Sequence, residues 1–274
     1  MIARRSPDEI QRIRASCQIV ALVQQVLEKA IAPGITTLEL DAIAEKTIRT
    51  HGAVPAFKGY HGFPASICTS INAGIVHGVP GATPLQNEDI ISVDVGVLLD
   101  EYYGDGAFTM GIGPIGSELQ HLIDTTRACL DIGIQQARVD SRVTDISHAI
   151  QTHAEAQGLS VVREFGGHGI GRSLHEDPHV SNYGSPGKGP RLREGYVLAI
   201  EPILSIGSPE LVTTADQWTT TTRDGRPSAH FEHTIAVAPE GPEILTLPPV
   251  APLSATGTDE EHTRRPQTAG HQEF

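Results

Sequence analysis

The chain has 274 residues, 39% of them hydrophobic and 19% charged, with a formal net charge of −13 at pH 7. That length holds one large domain with a sizeable core or two small ones, and the acidity argues against a nucleic-acid partner, which would need clustered Lys and Arg. No stretch nears the ~20 apolar residues of a membrane span, and the N-terminus Met1-Ile2-Ala3-Arg4-Arg5-Ser6-Pro7 lacks the apolar run of a signal peptide, so a cytoplasmic location is expected. Cys17, Cys68 and Cys129 are widely spaced and contain no CxxC pair. They indicate neither a disulfide framework nor a zinc knuckle.

Ser6-Pro7-Asp8-Glu9 predicts a capping box with proline at the first helical position. Ile10, Ile13, Cys17, Val20, Leu27 and Ile31 then recur at helical spacing until Pro33-Gly34. A second helix opens at Thr36 or Thr37 and ends near Gly52, and residues 53–84 read as short strands and Gly/Pro-punctuated loops. Ile90 to Leu98 reads as a buried strand and Glu101 to Thr109 as its return, with a tight turn near Leu99-Asp100. A hairpin symmetric about that dipeptide sets Asp94 opposite Asp105. Like charges directly opposed are destabilising, and a buried carboxylate must be paired, protonated or metal-bound. The alternative is that one Asp sits in the loop and the other faces water.

A further capping box, Ser117-Glu118-Leu119-Gln120, starts a helix to about Ala137, and another helix runs from near Thr144 to Gly158. Next come a strand Ser160-Val161-Val162, a glycine-rich loop from Gly166 to Gly171, a strand from Tyr196 to Glu201 and a last strand from Phe231 to Val237. Helices then strands, twice over, suggest a duplicated half with its join near residues 111–117. Residues 1–247 are expected to form one catalytic domain. The tail 248–274, rich in Pro, Thr, Ala, Glu and Gly without periodicity, is expected to be disordered and dispensable for catalysis.

Three later segments look like partners for the hairpin. Glycines on both sides of His168 permit close backbone approach; a phosphate loop is the competing reading, but the spacing is not GxGxxG within a strand–helix unit. Glu201 ends an apolar strand and is held extended by Pro202, and Glu232 lies in the strand from Phe231 to Val237. Four carboxylates and an imidazole make a hard, oxygen-rich set suited to two divalent first-row metals. Such a pair polarises a carbonyl and lowers the pKa of a shared water toward ~7, so the residues by themselves point to a dimetal hydrolase.

With these residues stand Tyr60-His61-Gly62-Phe63-Pro64, Ile71-Asn72, His77-Gly78-Val79-Pro80, Asp94-Val95, Gly104-Asp105, Gly167-His168-Gly169-Ile170-Gly171-Arg172, His175-Glu176-Asp177-Pro178, Ile200-Glu201-Pro202, Trp218 and Glu232-His233-Thr234. In that order and spacing, from about residue 8 to 247, the chain resembles the type I methionine aminopeptidases. The resemblance implies a pita-bread α/β (α+β) fold, a central antiparallel sheet whose two pseudo-two-fold-related halves are flanked by helices. It implies two divalent ions (Co, Mn, Fe, Ni or Zn) on Asp94, Asp105, His168, Glu201 and Glu232, with Asp94 chelating one ion, Asp105 and Glu232 bridging, and His168 with Glu201 completing the other site.

Its implied activity is removal of the initiator methionine from nascent chains with a small second residue, by metal-hydroxide attack on the first peptide bond. Glu201 would shuttle the proton, His175 would stabilise the oxyanion and His77 would bond near the scissile amide. Phe57, Tyr60, Phe63, Cys68, Leu174 and Trp218 would surround the methionine side chain, and Asn72 and Ser228 would lie near a monovalent cation, as in some relatives. A monomer is expected. No zinc-binding N-terminal extension is expected either, so that any ribosome contact would use the catalytic domain.

The chain departs from the family pattern in four places. Gly96 stands where relatives usually have threonine, and Tyr103-Gly104-Asp105-Gly106-Ala107 replaces a more polar His-Gly-Asp-Thr-Ser. His230 stands for glutamine and Leu174 for an aromatic. The first two predict weaker binding at one metal site. Competing readings are a proline-directed relative such as aminopeptidase P or prolidase, which normally carry a large N-terminal domain, and a catalytically dead binding module, which the five ligands disfavour. The short span from Glu201 to Glu232 leaves little room for the insertion of type II methionine aminopeptidases.

Overall fold

A computed structural model describes residues 2–248; from residue 249 on, the expected disordered tail lies outside the described residues. The first helix, α1 (Pro7–Ala30), starts as the sequence predicts: Glu9 N–H donates to Ser6 Oγ, and Ser6 N–H donates back to the Glu9 carboxylate at 3.0 Å. Its stripe of Ile13, Cys17, Val20 and Leu27 is buried, and the helix packs on the hairpin strands. Helix α2 (Thr37–Thr50) repeats the arrangement with Thr36 and Glu39, burying Leu40, Ala44 and Ile48. Removing such a stripe from water is what holds each helix on its sheet.

The hairpin strands are Ile90–Leu99 and Tyr102–Gly111. Their register pairs Asp94 with Ala107 and Gly96 with Asp105, so the two aspartates are diagonal neighbours rather than directly opposed. The turn is Asp100-Glu101, one position later than expected, with φ of +46° and +68°. A two-residue hairpin of this kind needs positive φ at both central residues, and Leu99 stays in the ladder opposite Tyr102. Moving the turn by one position moves each partner by two. Both aspartates therefore keep the same face.

Ile90–Leu99 is the middle of its antiparallel sheet, with Tyr102–Gly111 on one side and Ile67–Ile71 and Val54–Pro55 on the other. A second, five-stranded antiparallel sheet runs in the order Gly241–Ile244, His233–Ala238, Val197–Ile200, Gly166–Gly169, Glu176–Ser181. The helices α3 (Ser117–Gln136) and α4 (Val143–Ala156) precede it, so each half repeats helix, helix, strands. The predicted capping box at Ser117 is absent. Gly116, at φ −67° and ψ 156°, takes the cap position without a side-chain acceptor, and Ser117 is the first helical residue. At the start of α4, Arg142 N–H donates to Asp145 Oδ2 at 2.7 Å.

Gly166–Gly169 is a strand between two neighbours, not the expected loop. A Cβ on Gly167 would overlap the carbonyl of Ala199, and one on Gly169 that of Asp177, so the glycines are what let three strands close up around His168. The last strand begins at His233 rather than Phe231, and Gly241–Ile244 follows it. Two three-stranded sheets that the sequence did not reveal complete the described residues. One holds Ser228–His230, Ile203–Ser205 and Ser160–Val161; the other holds Leu211–Thr213, Thr220–Thr222 and Gly74–Val76.

The halves are laced together along the hairpin's outer strand. Glu232 N–H donates to Ala107 O at 2.9 Å and Ala107 N–H to Glu232 O at 3.3 Å. Thr234 Oγ1 donates to Asp105 O at 2.7 Å and accepts from Asp105 N–H at 3.2 Å. These bonds bring Asp105 and Glu232, distant in sequence, to one place.

Candidate active site

A cavity of about 420 Å³ opens between the halves, and every residue given a catalytic, ligand or pocket role by sequence lines it. On its floor lie Asp94, Asp105, His168, Glu201 and Glu232. Asp105, His168 and Glu232 are buried, and one donor atom from each lies within 4.8 Å of the others. His168 Nε2 is 3.6 Å from Glu201 Oε1. Glu201 stands at the end of its strand as expected, whereas Glu232 lies outside the strand in which the sequence places it. Glu201 directly follows Val197–Ile200, and Glu232 sits between Ser228–His230 and His233–Ala238.

The electrostatics are those of a site that lacks cations of its own. Burial pushes Asp94, Asp105, Glu201 and Glu232 above the ordinary carboxylate range. Mutual repulsion adds to this at Asp105, Glu201 and Glu232. Asp94 Oδ1 and Glu232 Oε1 are buried without a hydrogen-bond partner. Native interiors seldom leave carboxylate oxygens so placed, and an oxygen-rich, imidazole-containing set with free lone pairs fits hard divalent cations. His168 suits a ligand's role as well. Burial holds its pKa down to about 3, and its Nδ1 lies 2.9 Å from Gly169 O, which fixes the proton there and leaves Nε2 free.

Phe57, Phe63, Cys68, Leu174 and the half-buried Trp218 form the apolar wall. Phe63 meets Trp218 edge-on at 5.3 Å. Asp216 fastens that loop by accepting from Thr214 Oγ1, Thr219 Oγ1 and the Trp218 and Thr219 N–H groups, while Thr219 Oγ1 accepts from Val79 N–H, beside His77. Asp41 accepts from Ser66 and Ile67 N–H and so sets the strand that carries Cys68. All three cysteines are free and buried, and burial raises the Cys68 thiol well above its ordinary value, so it packs as an apolar group. Gly96 also belongs to this wall: a Cβ there would collide with the Phe57 ring.

His77, with φ +57°, stands edge-on to Phe165 at 5.3 Å. His175 meets His168 edge-on at 4.3 Å, and its Nδ1 is 2.9 Å from Tyr60 Oη. The loop carrying His175 is pinned by Glu176, which accepts from Arg172 N–H, Ser173 N–H and the Arg5 guanidinium. Asn72 and Ser228 are adjacent through a Ser228 N–H to Asn72 O bond at 2.9 Å. Their side chains are engaged with Asp89, Ile90 and Leu204. Phe165, His179 and His230 line the cavity without a role assigned by sequence; the adjacency of His230 to Glu232 was the available signal.

A buried carboxylate–imidazole centre between two antiparallel half-sheets is the mark of a metallopeptidase, and the chain belongs to metallopeptidase family M24, whose model matches residues 11–239. Within M24 it falls with the methionine aminopeptidases. It is 50% identical to the methionine aminopeptidase of Clostridium perfringens (strain 13 / Type A) over 247 residues, 90% of this chain and 99% of that one. The crystal structure of methionine aminopeptidase from Rickettsia prowazekii superposes with a TM-score of 0.89 at 40% identity, covering 90% of this chain and 100% of that chain. The prolidase from Pyrococcus horikoshii OT3 shares the fold alone, with a TM-score of 0.74 at 21% identity, and the match covers 64% of that longer chain. Among the described residues no helix is long and apolar enough to cross a membrane.

Proposed function

We propose that the chain removes N-terminal methionine from nascent polypeptides whose second residue is small, acting as a cytoplasmic monomer in protein maturation. It does so at a centre of two divalent ions (Co, Mn, Fe, Ni or Zn) held by Asp94, Asp105, His168, Glu201 and Glu232. The observation that carries this reading is the convergence of four carboxylates and His168, with unpartnered oxygens, on the floor of an apolar-walled cavity. Four negative charges match two divalent cations. When bound, those ions supply a Lewis acid for the scissile carbonyl and an attacking water whose pKa lies near ~7.

The chain's own residues supply the rest. The wall of Phe57, Phe63, Cys68, Leu174 and Trp218 takes the methionine side chain, whose slender thioether suits an aliphatic and aromatic slot. Glu201, which lies 3.6 Å from His168 at the centre, takes the water proton and delivers it to the leaving amine. Tyr60 Oη lies 2.9 Å from His175 Nδ1; with the hydroxyl as donor, the imidazole proton is on Nε2, from which it donates to the oxyanion. His77 hydrogen-bonds near the scissile amide, held in place by the Val79–Thr219 bond. Crowding of Tyr60, His61 and His175 at the mouth supports a small second residue.

Metal-stripped protein reloaded with each divalent ion and offered Met-Ala-Ser and Ala-Pro-type peptides tests the reading. Release of methionine that requires added metal is expected. Preference for the proline peptide, or equal activity under chelation, would overturn it.

A further inference from the structure

His230 has no part in the reading above, and its surroundings are not those of a packing residue. Its backbone is clamped to the N-terminal hairpin: the N–H donates to Thr109 Oγ1 at 2.9 Å, and that hydroxyl donates to His230 O at 2.7 Å. Thr109 Oγ1 also lies 2.8 Å from Ser92 Oγ on the neighbouring strand. The clamp aims the ring into the cavity, where it is 2% exposed and its Nε2 has no hydrogen-bond partner. A buried imidazole nitrogen with nothing to bond is a costly feature unless something absent from the protein itself completes it.

The polar atoms facing that nitrogen are carboxylate oxygens of the centre. Glu201 Oε2 lies at 3.7 Å and Glu232 Oε2 at 3.9 Å. Both are too far for a hydrogen bond. They are near the 3.6 Å that separates His168 Nε2 from Glu201 Oε1. Donors each about 2.0–2.2 Å from one ion stand roughly 3–4 Å from one another, and the His230 distances fall in that range. Glu201 therefore has an imidazole nitrogen facing each of its two oxygens. Charge points the same way. Four carboxylates already offset two divalent ions, so a neutral imidazole adds a donor without adding charge.

We propose that His230 Nε2 is a sixth donor of the metal centre, beside Glu201 and Glu232, giving the site two histidines. The inference rests on the two-metal reading above.

The test is proton NMR of the wild-type chain loaded with two equivalents of Co²⁺. A histidine bound to Co²⁺ through Nε2 shows a far-downfield, solvent-exchangeable Nδ1–H signal. Two such signals are expected, with one lost in His230→Gln and the other in His168→Gln. His230→Gln should also weaken binding of one Co²⁺ by roughly 10–100-fold in a calorimetric titration. A single signal from fully loaded wild type, which requires no variant to fold, would overturn the proposal. So would two signals that persist in His230→Gln. Wild type that retains no Co²⁺ would instead overturn the metal centre, and His230's role with it.

Discussion

The two halves repeat one order of elements but deliver their site residues differently. The N-terminal half places Asp94 and Asp105 on a single hairpin, where a tight turn and a ten-pair ladder fix both on one face. The C-terminal half collects His168, Glu201 and Glu232 from three separate segments of a five-stranded sheet and its flanks. The halves also begin differently, since α1 and α2 carry reciprocal capping boxes while α3 opens on Gly116 with no side-chain cap. The first half is thus specified locally, and the second depends on long-range strand order. The bonds between Ala107 and Glu232 and between Asp105 and Thr234 make them one site.

The comparison is broken most forcefully at those bonds. Asp105→Ala and Glu232→Ala are expected to lower kcat/KM about 10³-fold or more, on the scale of losing a main charge-stabilising group, with far-UV circular dichroism unchanged. Equal losses put both halves on the same footing; a fully active variant of either would defeat the shared centre.

Acidity comes next. The raised pKa values of the four carboxylates mean that the folded, metal-free chain holds protons that the unfolded chain releases, so stability falls as pH rises. The buried His168, His230 and His233 are lowered and give the opposite slope, but only below their ordinary value of about 6.5. Between about pH 7 and 9 the carboxylates set the slope, joined toward pH 9 by the buried thiols of Cys17, Cys68 and Cys129, whose raised pKa values act in the same direction. The melting temperature of chelated protein should drop across that window, and saturating Mn²⁺ should remove the drop. A rise in the chelated protein would contradict the repulsion.

A smaller effect sits on the hairpin wall. Gly96→Thr forces the Phe57 ring aside and is expected to cost about 1–3 kcal/mol in urea unfolding, as overpacking does. Adding Phe57→Leu should recover part of that loss. Smallest are the caps. Ser6→Ala and Thr36→Ala should each cost about 1 kcal/mol, whereas Ser117→Ala should change nothing measurable.

The same contrast explains what could be read from sequence. Both N-terminal helices were legible to within a residue or two because caps and apolar stripes are local signals. The hairpin was legible as an element but not in register, because the turn's position depends on positive φ at Asp100 and Glu101, residues without the usual Asn-Gly signature. Glycines around His168 read as a loop, since the partner strands that need the close approach lie elsewhere in the chain. The strands between Ile203 and Thr222, too short for periodicity, were not visible. Asp94, Asp105, Glu201 and Glu232 stood out because carboxylates in apolar strands lack a structural excuse. His230 stood out only as a departure from the family's glutamine and, one histidine among 13, drew no role at the centre.

The central claim is that both halves contribute ligands to one two-metal centre. Anomalous diffraction from crystals of the chain loaded with Mn²⁺ tests it most directly. Two peaks are predicted in the cavity, one within bonding distance of Asp94, the other of His168 and Glu201, and both of Asp105 and Glu232. A single peak bonded to the residues of one half alone, or none among these side chains, would contradict it.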